Sequence, residues 1–132
     1  MKTHEVELCG QRVTLLLNGQ ALFDIYEKFG TDEFLTEHIK GQSKASFENA
    51  CWMLAKLAEQ GELWRRWQGM DKRAFYSEHF FRVNLSPRET IAAKDAIRTT
   101  IYLGFAREET EGEGDVDIYA EELKKKQATK AE

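Results

Sequence analysis

Over residues 18–105 the apolar side chains recur at intervals of three and four, and the run is interrupted only by residues that start or stop helices. That punctuation excludes a sheet protein over most of the chain. Asn18 is placed to cap a first helix carrying Leu22, Ile25, Tyr26 and Phe29 on one face and Gln20, Asp24, Glu27 and Lys28 on the other, with Gly30 as its left-handed stop. A shorter helix follows through Phe34, Leu35, His38 and Ile39 and closes at Gly41. Ser43 or Ser46 then opens the most apolar helix, in which Phe47, Ala50, Cys51, Leu54, Leu57 and Ala58 share a face and Gly61 marks the end. Residues 62–83 are rich in aromatics, broken near Gly69 and restarted by Asp71. The last helix has the clearest start: Ser86 as cap, the chain's only proline at position 87, and Glu89 in the capping-box position. Its stripe of Ala93, Ala96, Ile97, Thr100, Ile101 and Gly104 predicts close approach by another helix.

The front of the chain has a different period. Residues 5–8 and 12–17 are two short runs that begin to alternate, separated by Cys9, Gly10 and Gln11, and they predict one β-hairpin laid against the helices. At 132 residues and 42% hydrophobic, the chain suffices for one domain with a real core. The first 106 residues carry 14 lysines and arginines against 14 acids, so residues 107–132 hold 5 against 9 and with them the whole net charge of -4. Residues 107–117 have little apolar surface to offset ordering, whereas 116–126 can form a short helix. The expected architecture is therefore α+β, mainly α: a hairpin packed on about five helices over 1–106, followed by a mobile acidic tail over 107–132. No apolar run reaches the ~18 residues of a membrane span, and the N-terminus lacks the order of a signal peptide, so a soluble intracellular chain is expected.

The residues that carry chemistry are few and scattered. His4, Cys9, His38, Cys51 and His79 show no short metal-ligand spacing, so no metal or cofactor is expected. Asp32–Glu33 and Glu108–Glu109 are adjacent pairs whose side chains point apart on a helix, which suits solvated surface better than acid–base work. No nucleophile elbow, phosphate loop or metalloprotease helix is present, and an enzyme would require His38 or His79 to meet Cys51 or a carboxylate. Residues 63–82 interleave Trp64, Arg65, Arg66, Trp67, Lys72, Arg73, Phe75, Tyr76, Phe80, Phe81 and Arg82, a pattern able to stack bases and neutralise phosphates. Glu62, Asp71 and Glu78 dilute its charge, and the spacing of Trp64 and Trp67 also suits core anchors. On the central helix Trp52 and Met53 fall around toward Asn49, Lys56, Glu59 and Gln60, where they are either covered by the aromatic segment or presented to a partner.

The leading hairpin at 6–17, the helix opened by Asn18-Gly19-Gln20-Ala21-Leu22 and closed by Phe29-Gly30, the helix with Ala50, Leu54 and Leu57, and the charged tail together resemble the tail assembly chaperones of long-tailed bacteriophages and prophages. The resemblance covers residues 4–105 and rests on size, layout and hydrophobic pattern. It implies a non-enzymatic protein of the host bacterial cytoplasm that binds the helical tape-measure protein and helps bring tail-tube subunits to it, with self-association left open. Trp52, Met53, Trp64, Trp67, Phe80 and Phe81 are the partner-binding residues expected on that basis. Such families also make longer products by frameshifting, and Lys124-Lys125-Lys126 is compatible with a slippery run. The alternative is a small nucleic-acid-binding regulator using residues 64–82.

Overall fold

The computed structural model describes residues 1–106; the tail expected over 107–132, with its mobile stretch and short helix, lies outside the described residues. Strands β1 (His4–Leu8) and β2 (Gln11–Leu15) pair antiparallel with Val6 opposite Val13. They are joined by Cys9 and Gly10 at φ 55° and 71°, the two positive values of the primed turn whose twist matches a hairpin. Four helices follow: α1 (Gly19–Phe29), α2 (Lys44–Trp67), α3 (Glu78–Asn84) and α4 (Pro87–Phe105), with a 3₁₀ turn at Leu35–Ile39. The fold is α+β and mainly α, as the periodicity predicts.

Local chemistry fixes most boundaries where the sequence puts them. Asn18 Oδ1 accepts the Ala21 N–H at 2.9 Å, and the Gly30 N–H reaches Tyr26 O at 2.7 Å. Ser43, rather than Ser46, caps α2, and Ser86 and Glu89 exchange the reciprocal bonds of a capping box. Two expectations fail. Gly61 does not end α2, which runs on to Trp67, and Asp71 starts no helix, because α3 begins only after the Ser77 cap.

Gly61 serves a different purpose. A Cβ there would lie 1.9 Å from Thr14 O, so β2 rests directly on the helix backbone, and the Leu16 N–H donates to Leu57 O at 3.1 Å. Across the slot, a Cβ on Gly104 would lie 2.7 Å from Leu17 Cβ. At Gly104 the close approach to α4 is thus made by an extended chain, while α2 packs on the same helix. Seated on α2 and, at Leu17, against α4, Val13 to Leu17 are buried one after another, and the strand alternation stops.

Helix α2 is the axis of the molecule, touched by β2, α1, the 3₁₀ turn, α3 and α4. Burial consequently goes all round it. Leu54 and Leu57 lie in the core, and so does Met53 on the side expected to be outward. Three further ties bind the hairpin to the helical layer: the Cys9 N–H donates to Glu89 Oε2 at 2.8 Å, Tyr76 Oη donates to Gln11 Oε1 at 3.2 Å, and Arg73 faces Glu5 at 3.5 Å. Among the described residues no helix is long and apolar enough to cross a membrane.

Candidate functional site

The last turns of α2 emerge from this wrapping. On a helix a residue neighbours those three and four before it, and Trp67 thereby stands beside Trp64 and Leu63. Trp67 is 88% exposed, Leu63 46%, and Met70, just past the helix, 47%, while Trp64 is half-buried. The helix ends in a paired stop in which the Gly69 N–H donates to Arg66 O and the Met70 N–H to Arg65 O, both at 3.0 Å, with Gly69 at φ 81°. The apolar side chains are thus presented on regular, hydrogen-bonded backbone.

Beneath them lies a dense ionic network. Glu62 and Arg65 are both buried. Glu62 accepts from Arg65 Nη1, Arg66 Nε and the Arg73 N–H, each at 2.8 Å. Arg65 also donates to Asp71 Oδ1 at 2.7 Å and Asp71 O at 2.9 Å, and Arg66 donates to Arg73 O at 2.8 Å while its guanidinium stands 4.3 Å from the Phe75 ring centre. Burial pushes the Glu62 carboxyl up, but the bonds from Arg66, the Arg73 backbone and Arg65 outweigh it and hold the group below its ordinary value. The effect is to strap residues 70–77 onto the flank of α2 without regular secondary structure. The arginines that read as a basic surface are largely committed internally, and Arg82 is likewise paired with Glu78 and Glu48. That leaves little uncompensated charge for phosphates along residues 64–82.

The six residues expected to bind a partner are distributed unevenly. Trp64 and Trp67 come together on the emerging face. Trp52 sits twelve residues earlier, ~18 Å up the helix axis, half-buried with its indole edge-on to Phe29 at 5.4 Å and with Lys28 and Lys56 each 5.9 Å from the ring centre. Phe80 is half-buried against Tyr76 and Phe81. Met53 and Phe81 are 0% exposed and lie in the core cluster, not on the surface. Leu63 and Met70 belong to the exposed patch and were not among the expected residues, although their spacing from Trp67 marks them.

Among the described residues, three of the open grooves bear on these side chains. One of ~350 Å³ runs between Trp52 and Phe75–Tyr76, with Lys56, Glu59 and Glu78 at its rim. One of ~400 Å³ lies on the other side of Trp52 among Asp24, Glu27, Lys28 and Lys56. The third, of ~500 Å³, separates the start of α2 from α4 and is lined by Phe47, Pro87, Ile91, Lys94 and Arg98. None of the three is lined by a histidine or cysteine. Cys51 lies in the core, where burial pushes its thiol up to about 11, a value that leaves it protonated and inert at neutral pH. Lys94 Nζ bonds Ser46 Oγ at 2.7 Å, but Ser46 is buried and donates its own hydrogen to Ile39 O at 2.8 Å, so the pair is a staple between α4 and α2. Among the described residues no three His, Cys, Asp or Glu side chains cluster as metal ligands. No family model, curated protein or solved structure matches the chain.

Proposed function

We propose that the chain is a tail assembly chaperone of a long-tailed bacteriophage or prophage, which binds the tape-measure protein, helps recruit tail-tube subunits and acts in the host cytoplasm without making or breaking covalent bonds. One observation carries this reading: the 88% exposed indole of Trp67, flanked by Leu63 and Met70, on a helix end braced by the Glu62 network. An indole held by rigid backbone contributes large contact area at small entropic cost, which is how protein anchors work. A long amphipathic client helix offers the matching surface, an apolar stripe that needs cover until it is packed in the tail.

The test is co-purification of the full chain with a tape-measure fragment. Trp67→Ala and Leu63→Ala should reduce recovery of the fragment by tenfold or more if each removes about 1.4 kcal/mol of contact, with far-UV helicity unchanged. Wild-type recovery with Trp67→Ala would remove the patch from the binding surface.

A further inference from the structure

The groove between α2 and α4 differs from the other two in its charge. Those around Trp52 mix acids with lysines, whereas this one has Lys94 and Arg98 and no carboxylate in its lining. Lys94 Nζ donates to Gly41 O at 2.6 Å and Ser46 Oγ at 2.7 Å, both neutral acceptors. Burial and then Arg98 push its ammonium below the ordinary value, as expected for a cation without a counter-charge. Arg98 pairs at 3.1 Å with Asp95, whose side chain is largely solvent-exposed, a contact that screens it weakly. The groove also receives the positive end of the 24-residue α2, capped by Ser43, and its floor is apolar, with Phe47, Pro87 and the 64% exposed Ile91.

The chain itself contains the complement. Residues 107–117 carry Glu108, Glu109, Glu111, Glu113, Asp115 and Asp117 against the single Arg107, with Val116 among them and Ile118 and Tyr119 directly after. They leave from the end of α4, the helix that forms one wall. From Phe105 back to Lys94 is ~17 Å of helix, and eleven extended residues span up to ~36 Å. The tether therefore reaches, and a short linker gives an effective concentration in the millimolar range. We propose that the acidic segment 107–117 docks in the α2–α4 groove of its own chain, with carboxylates on Lys94 and Arg98 and Val116, Ile118 and Tyr119 at its end over Phe47 and Ile91. This docking is independent of what Trp67 binds, and its test involves no client.

The test compares amide NMR spectra of the intact chain with those of a variant carrying E108Q, E109Q, E111Q, E113Q, D115N and D117N. Docking predicts shifts concentrated at residues 41–47 and 87–98, absent around Trp67, shrinking as salt rises and the same at every protein concentration. In an Arg98→Glu background, a surface change away from the core, the same six replacements should then shift the groove residues far less. Absence of groove shifts, or shifts centred elsewhere, overturns the proposal. Groove shifts that grow with protein concentration overturn it too, assigning the groove to a second copy's tail.

Discussion

Two residues show how far one atom decides this fold. Gly61 and Gly19 both lie in helices, but an added Cβ meets Thr14 O at 1.9 Å in the first case and nothing within 4 Å in the second. The atom against Gly61 is strand backbone, tied by Leu16 N–H to Leu57 O, and it has no rotamer into which to retreat. Gly61→Ala should lower the urea unfolding free energy by the upper end of, or more than, the ~1–3 kcal/mol that overpacking usually costs. Gly19→Ala should raise it by about 0.5 kcal/mol through the unfolded chain. Equal effects would mean that β2 yields easily, contrary to its close seat on α2. Met53 makes the same point for a side chain. Its position on the helix wheel faces outward only if burial is one-sided, and Met53→Ala should cost ~2–5 kcal/mol because it empties core volume.

Elements are legible in the sequence to the extent that their signals are local. The caps at Asn18 and Ser86 act within three residues, and the Cys9–Gly10 turn within two, so periodicity and capping chemistry recover them. Gly61 reads locally as a stop because its reason is Thr14, 47 positions away in the chain, and the burial of α2 on every side depends on five elements closing around it. The candidate site is legible in the same measure: the Trp64–Trp67 spacing identifies the face, while the commitment of Arg65 and Arg66 to Glu62 follows from folding residues 70–77 back on the helix. That strap has a pH dependence. Glu62 titrates below its reference value of 4.5 in the folded chain, so the unfolded state binds the proton first as pH falls. Its contribution is fully present above 4.5 and is lost as pH drops through the lower, folded value. Glu62→Gln should therefore cost about 3 kcal/mol at neutral pH by removing one partner of a buried ion pair, and the gap to wild type should narrow as urea midpoints are followed into acid. A gap constant through the acid limb would place the strap's strength elsewhere.

At the largest scale, the interior formed by the described residues is complete while they leave one end of its axis uncovered. Leu54, Leu57, Phe81, Ile97 and Ile101 are sealed by the surrounding elements, and Trp67 contributes nothing to that seal. Stability and surface function are thus separable by substitution. Phe81→Ala should lose ~3–5 kcal/mol, whereas Trp67→Ala should stay within about 0.5 kcal/mol of wild type. The three indoles report the same division optically. Trp52, beside Phe29, Lys28 and Lys56, and Trp64 are both half-buried and Trp67 is 88% exposed, so a collisional quencher such as acrylamide should act chiefly on Trp67. Replacing Trp67 with Phe should remove most of the accessible fraction and shift the remaining emission to shorter wavelength. On the proposed chaperone reading, adding a tape-measure fragment to wild-type protein should then produce the same loss of quenching without loss of the residue, because the client would cover what water now covers. If the fragment binds and Trp67 remains as quenchable as before, the client sits elsewhere, and the grooves beside Trp52 become the surface to test.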